Sequence, residues 1–453
     1  MNLEKYIVKS NSTIKDAMIK IDTNLEGCVF ILNNQNELVA ISTDGDIRRG
    51  LILGASLENC IIDVANFDFV SLKNDTSKEN LMKTLDNRYK IIPIVDSNNK
   101  LIDFATKNKI PQVLKNKSYY RSRSPVRISF SGGGSDISTF FVTNGGAVLN
   151  ATISLYSHVT LKIRNDLKIM IHSQDLNDQI FFNSIDELDN YNGNFSLIKS
   201  VIQIIKPNFG FDLFIYSDFP MSSGLGGSAV VTSAILGCFN EHRNDKWDKY
   251  EIAEFAYQSE RLHLGVSGGW QDQYATVFGG MNFMEFNSNE NIVIPLRFNN
   301  ELLNELEESL ILCYTGLTHD SGIIHKDQNL QTKNDNVKSK INQIVELTNE
   351  MKNFLLKGKL LEFGKALHNT WELKRSFSEK ISNSVIDNLY NEAQNNGAVG
   401  GKLLGAGGGG FFLFYVQPEN KLKLIQWLNS KNLKFTRFNF EDKGLQSWTV
   451  REN

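Results

Sequence analysis

Three glycine-rich stretches and a few charged side chains could carry chemistry in this 453-residue sequence. The middle stretch, PMSSGLGGSA at 220–229, follows an apolar run at 211–216 and precedes an apolar segment at 230–236 that is typical of a helix. Glycines let a backbone approach an anion closely, and the free N–H groups at the start of a helix can bind it. The pattern predicts a cradle for a triphosphate. The predicted nucleotide contacts are Ser223, Gly224, Leu225, Gly226, Gly227 and Ser228.

This loop lacks the pattern GxxxxGK[ST], which excludes the P-loop class. The hydroxyl of Ser228 remains as a group that can reach a magnesium ion. The alternative interpretation is a flexible turn in which the serine only caps the following helix.

The first glycine-rich stretch, SGGGSD at 131–136, ends in a carboxylate. Gly133, Gly134 and Asp136 are predicted to bind a polyol, although Asp136 could equally be a turn residue. The third stretch, GAGGGG at 405–410, formally matches GxGxxG, but a strand-like segment at 411–416 follows it where a dinucleotide fingerprint needs a helix. NAD binding is therefore rejected. Close backbone packing around another loop, the substrate or both is predicted, with Gly407 and Gly408 as substrate contacts.

In this order and at these separations, the three stretches resemble the three motifs of the GHMP sugar kinases, over about 121–450. Five further segments are similar to the branch that phosphorylates D-glycero-D-manno-heptose 7-phosphate. They are SPVR at 124–127, GGAVLNATI at 145–153, GGWQDQY at 268–274, FGGMNF at 278–283 and GKLLG at 401–405.

The resemblance implies a two-domain kinase fold with a left-handed βαβ crossover, ATP as the phosphate donor, and Mg²⁺ bound by Ser228 and Glu260. It also implies that Asp272 is the catalytic carboxylate, that Arg127 lies beside it, and that Asp136 binds a sugar hydroxyl. Such roles suit phosphoryl transfer, which depends on positioning, charge neutralisation and a carboxylate that faces the acceptor hydroxyl.

The sequence departs from the family pattern at two positions. Gly227 replaces the first serine of the usual pair, which should loosen one phosphate contact. Trp270 stands where the heptose branch would have a basic residue, which puts a substrate phosphate in doubt. Lys374 and Arg375 could supply that charge to the substrate; the alternative places both on a solvated helix face.

The elements that must position these residues divide the chain into two parts. Only four of the 33 glycines precede residue 119, and the polar, basic segment 112–124 predicts a boundary near Lys117. Residues 1–118 repeat one plan of strand, turn and strand about every 60 residues, which resembles a tandem CBS pair of α/β type. Thr43 and Asp46 would there bind the phosphate and ribose of an adenine nucleotide or nucleotide-sugar. A helix cap in a dimerisation module is the alternative.

From Pro125 onward, strands and helices without regular βαβ alternation indicate an α+β architecture, with kinase domains expected at 119–300 and 301–453. A helix with an apolar stripe is predicted near 337–356. The four cysteines, Cys28, Cys60, Cys238 and Cys313, are widely spaced and are predicted to be buried thiols.

The composition narrows the classes of partner. With 48 Lys and Arg against 51 Asp and Glu, the net charge of −3 argues against a nucleic-acid partner. No apolar run approaches a membrane span, so a cytoplasmic protein without membrane contact is expected, as a homodimer or larger assembly.

Together these features predict an ATP- and Mg²⁺-dependent kinase that acts on the anomeric hydroxyl of a heptose 7-phosphate or a related sugar. The alternatives are a kinase for free fucose, galactose or another unphosphorylated sugar, and a nucleotide-sensing regulator without activity.

Overall fold

The computed structural model describes residues 3–86, 89–110, 118–317, 321–332 and 334–451. Contacts between Cα atoms divide the chain into two compact units, one formed by Met1–Ser118 with Arg451–Asn453 and the other by Tyr119–Val450. The predicted boundary near Lys117 lies outside the described residues.

The N-terminal unit is built from two similar halves. Its elements are β1 Ile7–Lys9, α1 Ile14–Asn24, β2 Cys28–Leu32, β3 Leu38–Thr43, α2 Asp44–Ile52, β4 Leu72–Lys73, α3 Lys78–Asp86, β5 Ile91–Val95 and β6 Leu101–Thr106. In each half a central strand pairs in parallel with the strand before it and antiparallel with the strand after it, in the orders β1-β2-β3 and β4-β5-β6. The internal repeat is therefore present in the backbone topology.

An aromatic cluster joins the two halves. Phe104 from β6 lies 4.7 Å from the ring of Tyr6 and 5.4 Å from the ring of Phe30, measured between centroids. All three side chains are buried, so each half completes the core of the other.

The larger unit begins with a sheet of eight strands and the helices that cover it. The elements are β7 Ser118–Ser131, α4 Ser138–Asn144, β8 Gly146–Ile163, β9 Ile169–Ser173, β10 Asp178–Phe182, α5 Ile185–Asp189, α6 Ser196–Ile205, β11 Phe211–Ser217, α7 Gly227–His242, α8 Lys249–Tyr257, a π-helical turn Gln258–His263, α9 Gln271–Phe278, β12 Met281–Phe286 and β13 Asn291–Pro295. The strand order is β10-β9-β11-β8-β12-β13, and β7 pairs with the long strand β8.

The rest of this unit adds helices and a second sheet. The elements are α10 Asn300–Ser309, β14 Leu310–Tyr314, α11 Ser321–Gln331, α12 Asp335–Leu356, α13 Leu360–Arg375, α14 Ser384–Asn395, β15 Ala398–Leu403, β16 Phe411–Val416, α15 Pro418–Ser430, β17 Phe435–Thr436 and β18 Gln446–Arg451. The second sheet has the order β15-β16-β14-β17, whereas β18 returns to pair with β7 of the first sheet. The expected division near residue 300 stays a prediction.

Two expectations about individual elements can be compared with the structure. The predicted helix near 337–356 is confirmed as α12, which buries Val337, Ile341, Ile344, Met351 and Leu355 along one face. The prediction that all four cysteines are buried is wrong for Cys60, which is exposed just before a short 3₁₀ helix at Ile61–Val64. Among the described residues no helix is long and apolar enough to cross a membrane.

Candidate active site

The middle glycine loop connects β11 to α7 as the sequence predicts, and its backbone cannot tolerate side chains at two positions. Gly224 has φ +78°, and a Cβ there would lie 2.6 Å from the carbonyl oxygen of Leu404. Gly226 has φ +83°, and a Cβ there would lie 3.3 Å from Oδ2 of Asp272. The loop therefore lies against both the third glycine stretch and the candidate catalytic carboxylate.

The start of α7 is open to an anion. The helix begins at Gly227 after Gly226, and no side chain in the described structure caps it. Its first N–H groups therefore remain available, and Ser228 in the first turn is exposed.

Arg127 and Asp272 form the central ion pair of the site. Nε and Nη2 of Arg127 each donate to a different carboxylate oxygen of Asp272, both at 2.8 Å. Nη1 of the same guanidinium donates to the carbonyl oxygen of Gly224 at 2.6 Å. The pair thus connects β7, the start of α9 and the glycine loop, and it fixes the position of the carboxylate.

Glu260 and Ser228, the predicted metal ligands, also lie together. The carboxylate of Glu260 is buried and accepts a hydrogen bond from Nε2 of Gln273 at 2.9 Å, and Ser228 lines the same cavity. Burial raises the pKa of Glu260, although the nearby Arg261 opposes that effect. A hydroxyl and one carboxylate suit Mg²⁺, which usually takes one or two protein ligands and completes its shell with phosphates and water. The described residues contain no cluster of three or more His, Cys, Asp or Glu that could bind a metal alone.

A cavity of about 330 Å³ opens from the glycine loop. Apolar side chains form much of its lining, namely Leu176, Leu197, Ile198, Ile215, Phe219, Met221 and Val231. Asp175 and Ser217 add polar groups there, and the Asp175 carboxylate accepts hydrogen bonds from the backbone N–H and the hydroxyl of Ser217, both at 2.8 Å. An apolar slot with a few fixed polar groups suits a planar base.

A second, smaller cavity lies on the other side of the Arg127–Asp272 pair. It is lined by Arg127, Ser129, Gly133, Gly134, Asp136, Ile137, Arg261, Gly269, Gln271, Asp272, Gln328, Lys374 and Gly405. The buried carboxylate of Asp136 accepts hydrogen bonds from the backbone N–H groups of Gly134 at 3.1 Å and Gln271 at 3.2 Å. Burial, and secondarily the charge of Asp272, raises the pKa of Asp136.

Two lysines in this region are buried, and one of them, Lys374, lines the second cavity. Lys374 donates to the carbonyl oxygen of Gly405, and burial together with the nearby Arg127 lowers its pKa to about 8. Lys402 is 1% exposed, and burial lowers its pKa well below the usual value. The alternative that placed Lys374 on a solvated helix face is therefore wrong, because α13 turns this residue inward. Arg375, by contrast, pairs with Glu372 and Asp387.

The two cavities share Arg127, Arg261, Asp272 and Gly405. A donor bound in the larger cavity and an acceptor in the smaller one would therefore meet beside Asp272. An open helix start on one side, a polar cavity on the other and a carboxylate at the junction are the features that a group-transfer site needs.

Some predicted contacts lie elsewhere. The side chain of Leu225 is fully buried in the core, and only its carbonyl oxygen takes part locally, by accepting from the Arg127 backbone N–H at 3.2 Å. Gly407 and Gly408 pack against Ile381, whereas Gly405 and Ala406 line the larger cavity. The third stretch contacts the middle loop directly, since a Cβ on Gly405 would lie 2.5 Å from Cα of Gly224.

Thr43 and Asp46 form a capping box at the start of α2 in the N-terminal unit. The Thr43 hydroxyl donates to Asp46 at 2.6 Å, and Asp46 also pairs with Arg49. The structure therefore shows the helix-cap arrangement that the sequence offered as the alternative to ligand binding.

Trp270 occupies the position where a basic residue would be expected. Its ring stacks on Tyr257 at 3.5 Å between centroids, and its Nε1 donates to the Ser138 hydroxyl at 2.9 Å. The side chain therefore supports the wall behind Asp136, whose carbonyl oxygen accepts from the Trp270 backbone N–H at 3.1 Å.

The sequence analysis assigned no role to several polar residues in and near the two cavities, namely Ser129, Arg261, Gln271, Gln328 and Lys402. It also assigned none to the apolar side chains that line the large cavity. Arg261 and Gln271 do stand next to predicted site residues, at Glu260 and Asp272, and this adjacency was a usable signal. Met221 lies within the middle glycine stretch, but the other apolar residues come from β11, α6, α7 and the connecting segments, where no local pattern marks them.

Comparison with known proteins shows which family this chain belongs to. Residues 196–280 match the GHMP kinases N terminal domain, and residues 351–426 match the GHMP kinases C terminal domain. The D-glycero-alpha-D-manno-heptose 7-phosphate kinase of Campylobacter jejuni is 37% identical over 336 residues, which cover 73% of this chain and 99% of that protein.

Two further relatives are named for kinases that act on different sugars. The crystal structure of a D-glycero-D-manno-heptose 1-phosphate kinase from Bacteroides thetaiotaomicron has a TM-score of 0.61 and 32% identity, and covers 74% of this chain and all of that one. The L-fucokinase/L-fucose-1-P guanylyltransferase of Bacteroides fragilis is 26% identical over 72% of this chain, but over only 38% of its own length.

Proposed function

The chain belongs to the GHMP kinase family of sugar phosphotransferases, and we propose that it transfers the γ-phosphoryl group of ATP to the anomeric hydroxyl of a heptose 7-phosphate or a closely related sugar phosphate. One observation carries the proposal: the nucleotide-sized cavity and the polar cavity meet at the Arg127–Asp272 pair. The 37% identity to a heptose 7-phosphate kinase supports the choice of acceptor.

On the donor side, the backbone from Ser223 to Ser228 binds the phosphates of ATP. The apolar side chains that line the large cavity contact the base. Ser228 and Glu260 bind Mg²⁺, which neutralises phosphate charge when it is bound. The remaining charge compensation comes from the start of α7.

On the acceptor side, Asp136 accepts hydrogen bonds from sugar hydroxyls and Lys374 binds an anionic group. Asp272 accepts the proton of the attacking hydroxyl, and the two hydrogen bonds from Arg127 hold its carboxylate in place. Because an anomeric hydroxyl is more acidic than an ordinary alcohol, the demand on this base is modest.

A second acceptor class, free sugars such as fucose or galactose, is favoured by one observation. Trp270 takes the place of the expected basic residue, and the similar fucokinase is named for an unphosphorylated sugar. The buried Lys374 argues for the phosphorylated acceptor, since an anion would compensate its charge.

The decisive experiment measures ADP release with a panel of heptose 7-phosphate, heptose 1-phosphate, free heptose, fucose and galactose. NMR of the product then reports which oxygen carries the new phosphate. We expect the highest kcat/KM with heptose 7-phosphate and a product phosphorylated at the anomeric carbon. Higher kcat/KM with a free sugar would refute the proposed acceptor, and the absence of ADP release with every sugar would support the inactive regulator.

We further propose that the N-terminal unit is a CBS pair that binds an adenine nucleotide or nucleotide-sugar near Thr43 and Asp46. The two equivalent three-stranded halves support this proposal. Binding would require a ligand to replace the Asp46–Arg49 contact with its own hydroxyl groups.

A further inference from the structure

Arg261 lies where the two cavities of the active site meet. It follows Glu260 in the π-helical turn, and its side chain lines both the larger and the smaller cavity. Among the described residues, Arg127 and Arg261 are the only cationic side chains that line both cavities.

The two arginines differ in how their donors are used. All three nitrogens of the Arg127 guanidinium make short hydrogen bonds, at 2.6–2.8 Å, to Asp272 and Gly224. Every hydrogen bond of Arg261 is long, since its Nη atoms lie 3.4 Å from the carbonyl oxygens of Val266, Ser267 and Gly269. Its ion pair with Glu260 is also long, at 3.7 Å.

One donor of Arg261 has no protein partner. Its Nε is buried and makes no hydrogen bond within the described structure, and the whole side chain is only 11% exposed. A buried N–H without a partner is costly, and a catalytic role for the side chain is one reason for a site to retain it.

The position of Arg261 and its weakly bonded donors suit the phosphoryl group as it is transferred from one cavity to the other. In phosphoryl transfer, negative charge spreads over the three equatorial oxygens of the moving group, and a planar guanidinium can donate to two of them. Arg127 is already bound to Asp272, so Arg261 is the arginine with donors to offer.

We propose that Arg261 is a catalytic residue that binds the phosphoryl group during its transfer from the nucleotide to the sugar. This inference rests on the proposed kinase function. In the step, the bond between Pγ and the oxygen bridging it to Pβ breaks, and its electron pair stays on ADP. A bond forms between Pγ and the sugar oxygen, and the hydroxyl proton moves to Asp272.

The test compares steady-state kinetics of the wild type with those of Arg261→Met and Arg261→Lys. Loss of a donor that acts in the transition state should lower kcat by about 10²–10³-fold, with KM for ATP and for the sugar within threefold. Lysine should restore only part of kcat, because it keeps the charge and loses the planar fork. Added guanidinium should rescue Arg261→Met and leave the wild type unchanged.

Arg243→Met is the matched control, because Arg243 pairs with the exposed Asp245 away from both cavities. It should retain wild-type kcat. The magnesium concentration for half-maximal rate should also stay unchanged in Arg261→Lys, which separates this role from support of Glu260.

A second measurement does not depend on the sugar. Aluminium fluoride mimics the transferring phosphoryl group, so it should tighten binding of MgADP to the wild type and do so much less in Arg261→Met and Arg261→Lys. Affinity for MgADP alone should be equal in all three proteins.

Failure of the wild type to phosphorylate any sugar would count against the proposed function, and the aluminium fluoride measurement would still decide the role of Arg261. The inference is overturned if the variants keep kcat within twofold. It is equally overturned if only KM for the sugar rises, or if aluminium fluoride tightens MgADP equally in all three proteins.

Discussion

Asp272 is the residue on which the chemistry most depends. Asp272→Asn should lower kcat by roughly 10²–10⁴-fold, because a positioned general base contributes about that much. The affinity for MgATP should barely change, since Asp272 is proposed to act on the acceptor hydroxyl and not to bind ATP. Steady-state kinetics and equilibrium titration with MgATP check both expectations.

The matched control for that variant is Asp245→Asn, whose carboxylate pairs with Arg243 at the surface and is 81% exposed. It should behave as the wild type in both measurements. A folded Asp272→Asn protein with near-normal kcat would remove Asp272 from the catalytic role.

Ser228 and Glu260 are expected to act as a pair. Ser228→Ala and Glu260→Gln each remove a proposed magnesium ligand, so each should raise the magnesium concentration needed for half-maximal rate by about tenfold or more. Magnesium titrations at saturating ATP provide the measurement. Curves for both variants that overlay the wild-type curve would place the metal elsewhere.

The lowered pKa of Lys374, about 8, makes a prediction about pH. Below pH 8 the free enzyme presents a cation to the substrate anion, and above it this charge is lost. For a phosphorylated sugar, kcat/KM should therefore fall about tenfold per pH unit above pH 8. Lys374→Met should have a lower kcat/KM at pH 7 and lack this alkaline limb; a limb that persists unchanged in the variant would assign it to another group.

At the scale of elements, the contact between two glycine loops determines the shape of the phosphate cradle. Gly224→Ala would place a Cβ 2.6 Å from the Leu404 carbonyl oxygen at φ +78°, so the loops must separate. We expect a loss of unfolding free energy of about 2–4 kcal/mol and weaker MgATP binding. Urea unfolding and MgATP titration provide the two measurements.

Gly265→Ala separates the two causes of that loss. Gly265 has a similar φ of +72° but nothing within 4 Å of the added Cβ, so it should cost only about 1 kcal/mol and leave MgATP affinity unchanged. Equal losses in the two variants would mean that the loop contact contributes nothing.

At the scale of the whole molecule, the N-terminal unit contains none of the residues proposed for phosphoryl transfer. If it binds a nucleotide, the full-length protein should bind AMP at a site that Asp46→Asn weakens, without any change in kcat at low AMP. A ligand at a hundredfold excess over Kd stabilises the folded unit by about 2.7 kcal/mol, which should shift its melting by several degrees.

The AMP titration includes ADP, ATP and nucleotide-sugars as further probes. Ser228→Ala provides the matched control, because it alters only the proposed kinase site. Binding that responds to Ser228→Ala and ignores Asp46→Asn would assign the nucleotide to the kinase site alone.

The sequence alone was sufficient for features that depend on neighbouring residues. The strand, loop and helix around the middle stretch, the stripe of α12 and the internal repeat are patterns of neighbouring residues, and periodicity and turn chemistry produce them. A local signal, the serine at the start of the predicted helix, pointed to Ser228, whereas Glu260 and Asp272 came from the family resemblance.

Only the tertiary structure decided which distant residues meet. The family resemblance implied that Arg127 lies beside Asp272, 145 residues away, but the two hydrogen bonds between them and the third from Arg127 to Gly224 depend on how β7, α9 and the glycine loop pack. Helical periodicity could not decide whether Lys374 faces solvent or the cavity, because the sequence is compatible with both directions. Only the packing of α13 against its neighbours decides it. The sequence also could not show that Arg261 and the apolar side chains line the large cavity. Which residues from distant segments meet, and which are buried, depends on packing between elements and not on any one segment.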